Sequence, residues 1–239
     1  YCRGARSNPV LENLSIRENQ ADTKGGAIYC ADAANLQLVN CRLTDNKAVS
    51  AGGGICCWEC GSVRIDNILI SGNTGGDGGG GIFTYNSQIK VMNATLVNNA
   101  GFGDSGTGDK KKKGGGIYIY KGTLTLINSI VTNNIGKYGL FAETGTLHVW
   151  HCNFHNNDFG NFYNCGGDIG ADARVNDYND PCDIYYNTQI DPLFVDYANE
   201  NYQLSDSSHC IGTGIDSLTI DGWLYTALEY DLEGNPRPF

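Results

Sequence analysis

The sequence predicts an all-β fold, a right-handed, single-stranded parallel β-helix in which the chain winds as one solenoid. Three observations predict it. A glycine-rich motif recurs at a nearly constant interval, an asparagine pair recurs in step with it, and period-two apolar alternation lies between the two. Self-similarity at a fixed interval is the sequence signature of stacked repeats. We expect the 239 residues to form one domain, with disulfides as staples.

The glycine motif is a run of small residues that ends in an isoleucine. It occurs at 25–28, 52–55, 79–82 and 114–117, and a degenerate copy ends at Leu140. Successive isoleucines are 27, 27 and 35 residues apart, and the longest interval contains a polar stretch at 101–113. We interpret that stretch as a loop inserted into one coil. Glycine permits the positive φ of a sharp turn, and the stacked isoleucines are expected to fill the interior.

The asparagine motif places two asparagines six positions apart. Its copies are Asn13/Asn19, Asn40/Asn46, Asn67/Asn73, Asn93/Asn99 and Asn128/Asn134, with His151/Asn157 as a variant. Asparagine tolerates a left-handed corner, and its amide can bond the next asparagine in a stack. The apolar pair before each copy predicts a short strand. Such a unit is too short for a propeller blade of about 40–50 residues.

The repeats predict two parts of the same domain. Residues 1–160 are expected to form regular coils, interrupted by the loop at 101–113. Residues 161–239 are expected to form the last coils and an irregular closing segment.

The charge balance restricts the partners. The formal net charge is −10, and an acidic surface repels phosphate backbones and anionic lipid, which argues against nucleic acid as a partner. The chain contains no apolar run of the length that spans a membrane, about 18 residues. The basic run Lys110 to Lys113 is interpreted as a solvated loop tip, with contact to an acidic glycan or a neighbouring subunit as the alternative. The expected partners are copies of the chain itself or surface glycans.

The cysteines indicate an oxidising compartment. Ten is an even number, and the one C-x-x-C, Cys57 to Cys60, has no second pair to complete a zinc site. A chain that starts at Tyr1 rather than Met is expected to have lost a secretion signal. Because Cys30 and Cys57 share a register on adjacent coils, we predict a disulfide between them. Two further predicted pairs are Cys182 with Cys210 and Cys152 with Cys165.

One face of the solenoid carries aromatic side chains. They follow the ladder isoleucines and should point outward at coil spacing: Tyr29, Trp58, Phe83, Tyr85, Tyr118, Tyr120 and Phe141. A stripe of this kind is typical of an interface or a sugar platform. The alternatives are strand propensity alone, or a cover formed by the inserted loop or the C-terminal tail.

Catalytic and metal-binding patterns are weak. Arg64 and Asp66 share a strand, but no facing acid pair accompanies them. The acidic segment around Asp177 and Asp180 is interpreted as a loop with capped turns rather than a calcium site. His148, His151 and His155 are not expected to converge. We therefore predict no catalytic residue, metal ligand or cofactor.

The C-terminal third carries a resemblance to a known superfamily. Residues 191–196 read D-P-L-F-V-D, 201–204 read N-Y-Q-L, and 231–237 match D-x-x-G-x-P-R. With the repeats, they resemble the pectate-lyase-like β-helix superfamily, including polymorphic outer-membrane adhesins and secreted bacterial β-helix proteins. The chain has residues 210–214 where that family commonly has Ala-Ile-Asp-x-Gly. The resemblance implies a fold and an extracellular location, but no reaction, because the superfamily contains lyases, hydrolases, epimerases and adhesins.

The sequence thus favours a non-enzymatic protein that is secreted or on the cell surface and is structural or adhesive. Unpaired strand edges at the ends of a solenoid also predict end-to-end assembly into a filament. The alternative is a carbohydrate-active enzyme, a polysaccharide lyase or glycosidase, or a glycan-binding module that acts on extracellular polysaccharide.

Overall fold

The computed structural model describes residues 1–102, 114–136 and 138–237, and the chain there winds through stacked parallel coils. Most of the predicted loop insertion, with the run Lys110 to Lys113, lies outside the described residues. The coil strands are β1 (Cys2–Arg3), β2 (Val10–Glu12), β3 (Ser15–Arg17), β4 (Gln20–Ala21), β5 (Ile28–Ala31), β6 (Leu36–Thr44), β7 (Lys47–Ala48), β8 (Ile55–Trp58), β9 (Ser62–Ser71), β10 (Thr74–Gly75), β11 (Ile82–Val97), β12 (Ala100–Gly101), β13 (Ile117–Ile127), β14 (Ile130–Thr132), β15 (Leu140–Ala142), β16 (Thr146–Trp150), β17 (Asn153–His155) and β18 (Phe162–Tyr163).

The closing segment is made of three antiparallel pairs and one short helical turn. Its strands are β19 (Arg174–Val175), β20 (Pro181–Cys182), β21 (Phe194–Asp196), β22 (Asn201–Leu204), β23 (Ser217–Ile220) and β24 (Trp223–Thr226), and a 3-10 turn spans Tyr197–Asn199. No helix within the described ranges combines the length and the apolarity needed to cross a membrane.

The coils stack in register, as the repeat predicts. On the first face the strand order is β1-β5-β8-β11-β13-β15-β18. The isoleucine ladder pairs residue by residue, from Ile28 through Ile55, Ile82 and Ile117 to Leu140. These side chains are 5% exposed or less and form one continuous core. The prediction of an all-β parallel solenoid is confirmed.

The two asparagines of each motif have different structural roles. The second face runs from β2 through residues 36–39, 63–66, 88–92 and 123–127 to β16, and the third face runs from β3 through residues 41–44, 68–71, 94–97 and β14 to β17. The first asparagine position is the corner between these two faces. It is left-handed in every copy, for example φ 54° at Asn67 and φ 52° at Asn93. The second position points inward and forms a ladder. The backbone and side-chain nitrogens of each inner asparagine donate to the side-chain oxygen of the next, at 2.9–3.1 Å, through Asn19, Asn46, Asn73, Asn99, Asn134 and Asn157.

The predicted disulfides are wrong, since all cysteines are free thiols, among them Cys30, Cys57, Cys152, Cys165, Cys182 and Cys210. Cys30 and Cys57 do pair in register. Parallel pairing, however, keeps their Cα–Cβ bonds side by side at the ~4.8 Å strand spacing, whereas a disulfide needs Cβ atoms about 3.8 Å apart. Cys152 and Cys165 lie beside different faces of the solenoid, Cys152 before β17 of the third face and Cys165 after β18 of the first. Cys182 lies on β20, and Cys210 beside Ser208 in the tail.

The two ends of the solenoid differ. At the C-terminal end, residues 161–190 pack against the last coil: Phe162 lies on Phe154, with ring centroids 4.3 Å apart, and the Asn187 side chain accepts from the backbone of Cys152. At the N-terminal end, β1 to β4 pair with a neighbouring coil on one side only, and Val10 is 52% exposed. Unpaired coil edges are therefore found at the N-terminal end of the described residues.

We predict that the inner asparagine ladder carries much of the stability. Replacing Asn99 by Ala leaves the buried carbonyl of Ile70 and the amide of Asn73 without their side-chain partner. The expected loss in free energy of unfolding is about 3 kcal/mol, because each buried polar group left unpaired costs about 1–3 kcal/mol. Chemical denaturation measures it.

The matched control is Asn19→Ala, at the exposed end of the same ladder. Its cost should stay below about 1 kcal/mol, because water replaces the lost bond. Equal losses at the two positions would contradict the role given to the ladder.

Candidate functional site

The residues of the predicted aromatic stripe pair in register from coil to coil, but several of their side chains are buried. Tyr29 pairs with Cys56, and the row continues through Phe83 and Tyr118 to Phe141. Phe83, Tyr118 and Phe141 are 6% exposed or less, in a cluster with Cys56. The Tyr118 hydroxyl donates to Glu143 at 2.7 Å, and burial, followed by Glu143, raises the pKa of this phenol.

The outer row of the same stripe stacks on itself. Trp58 and Tyr85 are half-buried, with centroids 4.3 Å apart and rings inclined by 20°, and Tyr120 follows at 5.3 Å and is 43% exposed. The ammonium of Lys24 lies 3.2 Å from the centroid of the Trp58 ring. A sugar platform needs a free ring face, and the contacts of Trp58 with Tyr85 and Lys24 use faces of these rings. The role of the stripe as an interface stays a prediction.

The C-terminal tail, residues 191–237, lies on other faces of the solenoid. Its Ile220 and Ala227 pack against Met92 and Ile127 of the second face. From there the tail reaches the corner asparagines and the outward side of the third face. The tail therefore does not form the cover that the sequence offered as an alternative for the aromatic stripe.

A cleft of about 450 Å³ remains between the tail and the solenoid. Its floor is the outward side of the third face, where Leu69, Thr95 and Ile130 are half-buried. Its rim on the solenoid side is the row of corner residues. The tail supplies the remaining walls: Tyr202, Gln203, Leu204, Ile211, Thr213 and Arg237. The volume is typical of small-molecule sites, which span about 300–1,000 Å³.

Three of the corner residues hold the tail. Asn128 bonds both backbone groups of Ile215, accepting from the nitrogen at 3.0 Å and donating to the oxygen at 2.7 Å. The Nδ1 atom of His151 lies 3.0 Å from the carbonyl oxygen of Thr213. Asn67 accepts from a guanidinium nitrogen of Arg237 at 2.5 Å. The tail is thus anchored to the corner row at several coils.

Asn93 lies in this row between Asn67 and Asn128 and behaves differently. It is 7% exposed and lines the cleft. Its side-chain oxygen lies 3.4 Å from the donating amide of Asn128, but its own Nδ2 has no hydrogen-bond partner among the residues that the structure describes. A buried donor of this kind costs about 1–3 kcal/mol unless a ligand or water satisfies it. The cleft therefore contains one buried donor that the protein leaves unpaired.

The charged groups around the cleft are already engaged. Arg237 bonds Asn67 and the carbonyl of Tyr230, and burial lowers its pKa. Glu233 forms an ion pair with Arg42 at 2.8 Å. The carboxylate of Asp231 accepts backbone amides of its own turn. These interactions hold the tail in place.

The other polar residues considered from the sequence do not form one site. Asp66 bonds Arg64, and burial raises the pKa of the Asp66 carboxyl despite that partner. His148 faces Asp221 at 3.3 Å, and Asp180 faces His209 at 3.0 Å. Among the residues that the structure describes, no three histidine, cysteine or acidic side chains are placed to hold a metal ion.

Sequence reasoning missed the cleft because tail and floor are far apart along the chain. Arg237 meets Asn67 across 170 positions. Two signals pointed toward it. The D-x-x-G-x-P-R tail motif ends in the arginine that docks, and the one corner that departs from asparagine, His151, is a residue that binds the tail.

Comparison with known proteins establishes the family. The chain matches the family model described as right handed beta helix region over residues 2–164, most of its length. It belongs to the right-handed β-helix family. No curated protein and no solved structure matches the chain.

We predict that tail docking weakens in acid through His151. Burial lowers the pKa of this imidazole from its ordinary 6.5, and the bond to Thr213 opposes the shift only in part. The docked state therefore favours neutral His151. Docking is at full strength above pH ~6.5 and weakens as the pH falls and the undocked imidazole takes up a proton. Hydrogen exchange at residues 209–215 should accelerate between about pH 7.5 and 5, beyond the intrinsic pH dependence of amide exchange.

The variant His151→Asn restores the residue that the other coils have at this left-handed corner. It retains a side chain that can bond the tail, as Asn128 does, but has no proton to gain. Its acid-induced acceleration should vanish. The same acceleration in His151→Asn would show that another group controls docking.

Proposed function

We propose that the chain is a non-enzymatic extracellular β-helix protein that adheres by binding a neutral oligosaccharide in the cleft beneath its tail. The observation that carries the proposal is the unpaired donor of Asn93, buried in a cleft with an apolar floor. A rigid solenoid supports such a site well, because the stacked strands position its floor.

The lining suits a sugar in three respects. A hydroxyl oxygen can accept from Asn93 Nδ2, which removes the cost of the buried donor. The apolar side chains of Leu69 and Ile130 offer contact to the C–H faces of a pyranose. Because Arg237 and Glu233 already bond groups of the protein, a neutral ligand does not have to compete for them.

The contacts of the acids in the cleft support binding without hydrolysis. Glycosidases use two carboxyl groups on either side of the scissile bond, about 5–9.5 Å apart. The acids that line this cleft are Asp231 and Glu233, and both are committed, one to the turn of the tail and the other to Arg42.

The extracellular location and self-assembly are also proposals. The acidic composition and the resemblance to surface proteins support the location. For assembly, the C-terminal end is covered by residues 161–190, so stacking of many copies head to tail needs that segment to move. Light scattering at high concentration and electron microscopy test assembly. Filaments would support the structural role. A monomer would argue against assembly and would mean that each molecule adheres on its own.

We predict that Asn93→Asp weakens binding of neutral oligosaccharides about tenfold, which corresponds to ~1.4 kcal/mol. The exchange removes the donor, and aspartate tolerates the left-handed corner. The probes are cello-, xylo- and manno-oligosaccharides, measured by calorimetric titration. Ile130→Ala is a second variant, which removes apolar floor and should also weaken binding.

The matched control is Asn40→Asp, at the same left-handed corner but outside the cleft. It keeps the oxygen that accepts from Asn67, and its affinity should equal that of the unchanged protein. The proposal fails if none of the probes binds, or if Asn40→Asp and Asn93→Asp lose affinity equally.

The enzyme alternative is tested with acidic polysaccharides. Polygalacturonate is incubated with the protein, with and without calcium, and ultraviolet absorbance reports unsaturated products of a lyase. Reducing-end release from the neutral oligosaccharides reports hydrolysis. We expect neither product. Accumulation of either one, at a rate proportional to the protein concentration, would overturn the non-enzymatic proposal.

A further inference from the structure

Three cysteines meet in the interior near the N-terminal end of the solenoid. Cys30 and Cys57 stack in register on the inward side of the first face, and both are fully buried. Cys60 follows Cys57 after a turn in which Glu59 is left-handed, with φ 52°. This turn directs the side chain of Cys60 back into the core instead of outward. The C-x-x-C sequence is therefore folded into a thiol cluster.

The sulfur of Cys60 lies between its two neighbours. As a thiol it donates to the carbonyl oxygen of Cys30, at 3.1 Å. As a thiolate it accepts from the thiols of Cys30 and Cys57, which lowers the pKa of Cys60 and raises the pKa of both neighbours. Its backbone nitrogen donates to the hydroxyl of Ser87 at 2.9 Å, which holds the turn in place.

Access distinguishes Cys60 from the other two. Cys60 retains 7% exposure, whereas Cys30 and Cys57 retain none. Of these three cysteines, Cys60 is therefore the one that a small oxidant reaches first. The thiolate is the reactive form of cysteine, and a depressed pKa with partial access is the usual setting of an oxidisable thiol.

We propose that Cys60 is an oxidation site for peroxides and that Cys30 resolves it to a disulfide that joins two neighbouring coils. The register partners Cys30 and Cys57 cannot close this bond, because their Cα–Cβ bonds run side by side. Cys60 approaches from the turn, and its sulfur lies 3.1 Å from the backbone carbonyl oxygen of Cys30, next to the Cys30 side chain. This inference is independent of the cleft and of the proposed function.

The chemistry balances in two steps. The Cys60 thiolate attacks one oxygen of hydrogen peroxide, the O–O bond breaks, and Cys60 sulfenic acid and hydroxide form. The thiol of Cys30 then attacks the Cys60 sulfur. A sulfur–sulfur bond forms, the S–O bond breaks, and the hydroxyl leaves as water with the proton of Cys30. The two sulfurs together lose two electrons, and peroxide is reduced.

The test is oxidation of the full chain with hydrogen peroxide, followed by a catalase quench, denaturation and alkylation. We expect two fewer alkylated cysteines than the ten present in the untreated chain. Peptide mapping should place the new bond between Cys30 and Cys60. Cys60→Ser should keep all of its remaining thiols at the same peroxide dose.

The matched control is Cys41→Ser. Cys41 is also fully buried, but its sulfur contacts the carbonyl oxygens of Leu11 and Val39. This variant should lose the same two thiols as the unchanged protein. The inference is overturned if the mapped bond joins Cys57 to another residue, if Cys60→Ser loses two thiols as well, or if the unchanged chain keeps all ten.

Discussion

Parallel coils that stack in register, about 4.8 Å apart, place every side chain on the same position of the next coil. This single constraint decides which residues each position can hold. A charge would lie over a like charge, so inward positions take isoleucine, leucine and valine or neutral amides that bond one another. The ladder from Asn19 to Asn157 satisfies buried backbone groups as well as its own side chains. The glycines before each isoleucine follow from the same spacing, because a Cβ at Gly53 would lie 2.4 Å from the backbone of Thr74.

The cleft and the thiol cluster both lie where the chain departs from the repeat. Where the corner asparagines bond one another or the tail, they are satisfied. Between Asn67 and Asn93 that row is broken, because Arg237 takes the oxygen of Asn67 and the donor of Asn93 is left over. The thiol cluster is also a departure from the repeat. Stacking alone leaves Cys30 and Cys57 side by side without a bond, and the left-handed turn at Glu59 brings the sulfur of Cys60 against Cys30. The tail and the turn therefore add chemistry that a uniform solenoid lacks.

The sequence predicts the solenoid well because stacking turns three-dimensional contacts into a fixed interval along the chain. Ile28, Ile55 and Ile82 are 27 residues apart and pair directly. The predicted disulfide fails because the interval fixes register but not the direction of a side chain. The cleft was out of reach for another reason, since the contact of Arg237 with Asn67 belongs to no repeat. For the aromatic residues, alternation does not tell whether ring faces are free, as the stacking of Trp58 on Tyr85 shows.

The central claim is that the tail encloses a cleft whose unpaired donor, Asn93 Nδ2, receives an oxygen of a neutral sugar. The most direct measurement is a crystal structure of the protein grown with the tightest-binding neutral oligosaccharide. The account predicts sugar density between the tail and the third face, with a hydroxyl oxygen within about 3 Å of Asn93 Nδ2 and a ring face over Leu69 or Ile130. Sugar bound elsewhere, or a tail that closes the cleft and pairs Asn93 with its own backbone, would contradict it.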